Sequence, residues 1–158
     1  MPSWTNLAAL LVFVGLVGAT GALGGQWGAD DWYRALSKPG WTAPNWLFPP
    51  VWGVLYLMIA VAGWLIWASP GQHRTLVLAL WAAQLLLNAA WSYIFFGRHE
   101  LGLGLLDIVA LWTTIAAFAL AAWPVNQSAA LLFIPYLLWV SYAAALNASI
   151  WLRNPATA

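Results

Sequence analysis

Cysteine is absent from the chain and charge is scarce. Without cysteine there is no disulfide, no thiolate nucleophile and no zinc–thiolate centre. Charged residues make up 6% of the chain, against about 25% in an ordinary soluble domain, so the polar surface needed to stay in water is missing. Five basic and four acidic side chains form no basic stripe, which argues against nucleic-acid binding. The single lysine, Lys38, lies outside every long apolar run, so no lysine is available for a Schiff base inside the membrane. His73 and His99 fall in connections expected on opposite membrane faces, and neither has a metal-ligating neighbour at useful spacing, which disfavours a buried haem or metal. Ionisable groups do not cluster, so ordinary acid–base or nucleophilic enzymology is not expected. No Lys or Arg precedes the apolar run Leu7–Leu23. A secretory signal needs that positive start, so the run is expected to be retained as a first helix.

What remains is apolar and aromatic. Of 158 residues 64% are hydrophobic and 14 are tryptophan, with a mean hydropathy of +0.80. A spanning helix needs about 20 apolar residues. Five segments qualify, at 5–23, 46–68, 75–96, 101–123 and 129–152, and predict an all-α integral membrane protein: one domain over 1–158 built as a five-helix transmembrane bundle. The breaks Ser69–Arg74, Gly97–Glu100 and Pro124–Ser128 are short and carry Gly, Pro or charge, so neighbouring helices run antiparallel. The first connection, Gly24 to Asn45, is longer and too aromatic for a disordered linker. It is expected to fold back over the helix ends as a long loop, with a short helix near Ala29–Leu36 started by Asp30 or Asp31. Arg34, Lys38, Arg98 and Arg153 fall on one side and only Arg74 on the other. In a plasma membrane this puts the first loop and the C-terminus in the cytoplasm.

The tryptophans divide by position. Trp4, Trp27, Trp64, Trp67, Trp123 and Trp151 lie near span ends, where an indole anchors at the wet interface. Trp52, Trp81, Trp91, Trp112 and Trp139 lie inside spans, where each N–H needs a partner. Helical spacing groups Trp52 with Tyr56. It also groups Trp81, Gln84, Asn88, Trp91 and Phe95 on the third span, and Tyr136, Trp139, Ala143 and Asn147 on the fifth. Two readings stand side by side: these faces line a site for a flat apolar ligand with polar edges, or the amides bond helix to helix. Ala143–Ala145, Gly21 with Gly25, and Ala79 with Ala83 permit close approach in either case. Asp107, early in the fourth span, is the one intramembrane acid and is expected to be hydrogen-bonded in a structural role, with a proton or transport role as the alternative.

The stretch from Trp32 to Tyr56, WYRALSKPGWTAPNWLFPPVWGVLY, closely resembles the signature of the translocator protein family, also called tryptophan-rich sensory proteins or peripheral-type benzodiazepine receptors. Gln84 with Asn88–Phe96, and Pro135–Trp139 through Ala143 to Leu146 and Asn147, resemble it further, and Asp107 falls where the family often has Asp. The likeness extends over nearly the whole chain.

This resemblance implies a five-helix bundle, commonly a homodimer in membrane lipid, with no obligatory cofactor, that binds porphyrins such as protoporphyrin IX and synthetic isoquinolines or benzodiazepines beneath the first loop. Carried onto matching positions, it implies ligand contacts from Tyr33, Trp41 and Pro44 in the loop and from Trp46, Trp52 and Tyr56 on the second span. Asn88 and Trp91 follow on the third span, and Trp139, Ala143 and Leu146 on the fifth. Porphyrin carboxylates are expected to reach Arg34, Lys38 or backbone N–H groups. Two departures stand out. Ala43–Pro44 replaces the usual Pro–Pro, and Ala148 stands where animal members place the Tyr of a proposed cholesterol motif; Tyr142 is too far from Arg153 to substitute, so cholesterol recognition is expected to be weak. A porphyrin sensor or transporter is the leading expectation. Light- and oxygen-dependent porphyrin breakdown and a lipid- or partner-regulated scaffold are the alternatives.

Overall fold

The computed structural model describes residues 4–155. Each long apolar run becomes a helix because a chain in hydrocarbon must satisfy its backbone polar groups internally. The helices are α1 (Trp4–Gly24), α2 (Asp31–Ala35), α3 (Phe48–Ala68), α4 (Arg74–Ser92), α5 (Leu101–Ala122), α6 (Gln127–Leu132) and α7 (Ile134–Arg153). A 3₁₀ turn over Asn45–Leu47 leads into α3, and a π-helical turn over Tyr93–Gly97 closes α4. Five segments are long and apolar enough to cross a membrane: Trp4–Gly24, Asn45–Ala68, Arg74–Gly97, Leu101–Ala122 and Gln127–Arg153. The chain is an integral, multi-pass, all-helical membrane protein.

Local chemistry sets the boundaries. Pro49 and Pro50 occupy the first turn of α3, where a missing N–H costs nothing. Asn126 caps α6 by accepting from the Ala129 N–H, and its side-chain amide donates to Ser69 Oγ at 3.0 Å, joining two connections at one membrane face. The last span is expected as one helix but is divided at Phe133, just before Pro135. Proline cannot supply the N–H that a continuous ladder needs.

Helix α1 packs on α3 and α4, α4 on α5, α5 on α7, and α6 returns to α3, closing a ring. The main core joins Phe13 and Val17 of α1, Ile59 and Ile66 of α3, Trp81 of α4, Ile115 and Phe118 of α5, and Phe133 and Tyr136 of the last span. A smaller core of Tyr33, Leu36, Phe95, Leu101, Leu146 and Ile150 fastens α2 to the helix ends. The connection between α1 and α3 is therefore not a bare loop. It carries α2, capped by Asp30, whose Oδ1 accepts from the Tyr33 N–H at 2.9 Å.

Candidate functional site

One cavity of about 400 Å³ lies beneath this connection, between α1, α3 and α4. Its two walls differ in kind. One wall is glycine: Gly21 and Gly24 at the end of α1, then Gly25 and Gly28 in the connection that follows. Within α1, the i, i+3 spacing places Gly21 and Gly24 on one helical face. An added Cβ would collide at Gly21, 2.8 Å from the Tyr56 ring, and would be crowded at Gly24, 3.1 Å from Ser92 Oγ. The opposite wall is aromatic: Phe48, Trp52 and Tyr56 from α3, Trp91 from α4 and Phe96 from the π-turn. Tyr33 and Ala29 close it from above. A flat backbone facing a row of rings makes a slot. No charged side chain is among the lining residues, so the slot suits a planar, mostly apolar molecule with a few polar edges.

The polar groups behind the aromatic wall are already engaged. Tyr56 Oη donates to Asn88 Oδ1 at 3.0 Å, Asn88 Nδ2 donates to Tyr136 Oη at 3.1 Å, and Tyr136 Oη donates to Gln84 Oε1 at 2.9 Å. The chain continues from Gln84 Nε2 to the Trp81 carbonyl, and from Trp81 Nε1 to the Ile59 carbonyl. Asn147 accepts from Trp91 Nε1 at 3.2 Å and donates to the Leu101 carbonyl. The buried amides thus bond helix to helix while the rings they hold face the slot. The helix-to-helix reading is realised in these bonds, and Tyr56 and Trp91, two of the rings so held, also line the cavity.

Of the residues expected at the site, Tyr33, Trp52, Tyr56 and Trp91 line the cavity. Asn88 sits one hydrogen bond behind it. Ala143 and Leu146 are buried in the two cores instead. Trp41, Pro44 and Trp46 are on the surface, Trp46 being 71% exposed; Trp41 lies edge-on to Tyr142, whose hydroxyl accepts from the Ala43 N–H. Trp139 lies across from Phe48, with ring centroids 5.6 Å apart, and borders a separate groove between α3 and α7.

The tryptophan division needs two corrections. Trp27, expected as an anchor, lines the cavity and packs edge-on against Tyr93. Trp64 donates to the Asn6 carbonyl of α1 and so cross-links two helices. Both lie near span ends, where position alone does not separate an anchor from a packed ring. Asp107 is half-buried, and one of its carboxylate oxygens is buried without a hydrogen-bond partner; the hydrogen bond expected for it does not reach that oxygen.

Among the lining residues that sequence reasoning did not assign to the site are Gly24, Gly28, Trp27, Phe48, Ser92 and Phe96. For Gly24, the glycine spacing at the end of α1 was the available signal.

Electrostatics at the rim follow from capping. Lys38 Nζ donates to the carbonyls of Tyr33, Arg34 and Leu36 and sits over the Tyr33 ring. Its three protons close the end of α2, so they are not free for a ligand carboxylate, and burial pushes its ammonium below its ordinary range. Burial, with a contribution from Tyr142, raises the Tyr33 phenol, so Tyr33 presents a neutral hydroxyl. Arg34 pairs with Asp31 at 2.6 Å on the surface. Arg98, exposed beside Gly97, has no side-chain ion pair or hydrogen bond among the described residues.

Comparison with known proteins agrees with the architecture. The TspO/MBR family profile matches residues 8–152. Protein CrtK of Rhodobacter capsulatus is 39% identical over 155 residues, covering 97% of this chain and 95% of its own. Tryptophan-rich protein TspO of Chlorobaculum tepidum is 39% identical over 160 residues, covering 95% and 98%. The translocator protein of Sus scrofa is 40% identical over 126 residues, covering 78% and 75%. With its five spans, its glycine-and-aromatic cavity and this breadth of similarity, the chain belongs to the TspO/MBR family.

Proposed function

We propose that this protein binds a flat tetrapyrrole of the protoporphyrin type in the cavity beneath α2 and acts as a membrane sensor or translocator for it. The observation that carries this reading is the slot itself, with glycine backbone on one side and Trp52, Tyr56, Trp91 and Phe96 on the other. Its volume of about 400 Å³ falls at the lower end of the 300–1,000 Å³ typical of small-molecule sites. A large macrocycle therefore enters with its apolar edge and leaves its carboxylates at the rim. With Lys38 committed to α2 and Arg34 paired with Asp31, the exposed Arg98 is the cation best suited to receive them. Relatives named tryptophan-rich sensory protein, in Cereibacter sphaeroides, and translocator protein, in Bos taurus, support the sensing and moving of a ligand. The same reading puts the α1–α3 connection and the C-terminus on the cytoplasmic side of a plasma membrane, as the distribution of basic residues favours.

The test is a titration of the reconstituted protein with protoporphyrin IX, followed by quenching of tryptophan fluorescence. Trp52→Leu removes one stacking surface from the slot and is expected to weaken binding about tenfold, the equivalent of about 1.4 kcal/mol. Trp123→Leu, on an exposed indole at a span end, is expected to bind as the parent does. Equal affinity for the parent and Trp52→Leu would remove the slot as the binding site.

A further inference from the structure

The first half of α3 has space on both sides. Phe48, Trp52 and Tyr56 face the cavity. Val51, Val54 and Met58 instead face an apolar groove of about 610 Å³, whose far wall is Leu138 and Trp139 of α7. Val54 and Leu138 are 57% and 66% exposed, so the groove opens outward to the hydrocarbon of the bilayer. From Leu47 to Met58 it covers about 16 Å of helix, roughly half of a 30 Å hydrocarbon core.

Only a seam divides groove from cavity. The main packing partners of α3 are α1 and α6, and that of α7 is α5. Two edge-to-face ring pairs meet across the seam, Trp52 with Tyr136 at 6.1 Å and Phe48 with Trp139 at 5.6 Å. They are held very differently. Tyr136 is pinned by Asn88 and Gln84. Trp139 has no such pin, because its Nε1 is buried without a hydrogen-bond partner. An unpaired buried donor is costly, so no hydrogen bond opposes an outward swing of the indole into the groove. The route past α2 is tied more heavily. Tyr33 and Leu36 are buried in the small core, His99 Nε2 meets Asp30 Oδ2 at 3.1 Å, and Ser37 and Asn154 exchange two hydrogen bonds.

We infer that the seam between α3 and α7 is a lateral portal, gated by Phe48 and Trp139, through which a flat apolar ligand passes between the bilayer and the cavity. Trp52 and Tyr136 form its fixed sill. The inference rests on the cavity being the ligand site. It also gives a reason why Trp139 lies at the boundary of the cavity and not on its wall: there it controls access.

The absence of cysteine permits a clean test. Val54→Cys and Leu138→Cys face the groove and neither lines the cavity. The double variant, joined across the groove by a reducible bis-methanethiosulfonate reagent and placed in lipid nanodiscs, is mixed rapidly with protoporphyrin IX while tryptophan quenching is recorded. The linked protein is expected to associate at least tenfold more slowly than the same protein after reduction, with either single variant unaffected by the reagent. Trp139→Ala is expected to speed association and dissociation together, with a smaller change in their ratio. Equal association rates before and after reduction, or Trp139→Ala rates matching the parent, would overturn the portal. A reduced protein that binds no porphyrin would instead sink the ligand reading, and the portal with it.

Discussion

Gly63 has no side chain, and the space where one would begin is taken from two directions. A Cβ there would lie 2.5 Å from the Trp81 indole and 2.7 Å from Phe13, which themselves meet edge to face at 4.8 Å. Here α1, α3 and α4 meet, and Trp81 Nε1 uses the approach to reach the Ile59 carbonyl. Gly63→Ala overfills the junction and is expected to cost about 1–3 kcal/mol, read as a lower midpoint in thermal unfolding in detergent. A midpoint equal to the parent's would show that the indole can move aside. Asn88 is the other residue on which several helices depend, since it bonds Tyr56 of α3 and Tyr136 of α7. Interhelical bonds in membrane bundles average about 0.6 kcal/mol and reach about 1.7. With two lost, Asn88→Leu is expected to destabilise by about 1–2 kcal/mol. It should also loosen the Tyr56 ring, visible as faster ring flipping by NMR; unchanged flipping would mean packing alone holds it.

At the scale of elements, α2 decides how the cavity is covered. Asp30 both caps α2 and meets His99, whose ring stacks on Trp32 at 4.1 Å. His99 itself has φ of +60° in the turn between α4 and α5, a left-handed conformation uncommon for a residue with a Cβ. The Tyr33 N–H holds the Asp30 carboxyl below its ordinary value of 3.8, outweighing the opposing effect of burial, and His99 adds to the lowering. A carboxyl whose folded value is depressed stabilises above its unfolded value and loses that contribution as pH falls through the folded one. The fastening of α2 should therefore persist down to a pH of about 4 and weaken only below it. Protection of the Tyr33 amide against hydrogen exchange, taken relative to its intrinsic rate, should fall in that window and show no step in Asp30→Asn. A step near neutral pH in the parent would assign the fastening to another group.

For the whole molecule, the exchange of hydrogen bonds between Ser37 and Asn154 puts the α1–α3 connection and the end of α7 on one membrane face. Asn126 and Ser69 meet at the other. In cells, a cysteine introduced at Ser37 should be shielded from an impermeant maleimide until the membrane is opened, whereas one at Gln72 should react from outside. The reverse pattern would invert the orientation. The span count, a short helix started by Asp30 or Asp31, and the grouping of Tyr33, Trp52, Tyr56 and Trp91, which line one cavity, were legible in the sequence, since each depends on local periodicity or on a recognisable motif; only the structure chose Asp30 as the cap. Trp139, Ala143 and Leu146 share that legibility as a face, yet a helical face does not say what stands opposite it. Trp27 and Trp64 look like anchors for the same reason.

Apolar length and the shortage of charge determined by themselves that this chain lives in a membrane as five helices, because hydrocarbon leaves the backbone no other way to satisfy its hydrogen bonds. Which rings line the cavity and which face a neighbouring helix was decided only by tertiary structure. The bare backbone at Gly21 and Gly24 lets α1 close on Tyr56 and Ser92 at the edge of the cavity, and the Trp139 N–H is left buried without a partner beside the seam between α3 and α7. Both depend on where helices distant in sequence come to rest, which follows from the fit of their side chains to one another and not from the hydrophobicity of any one of them.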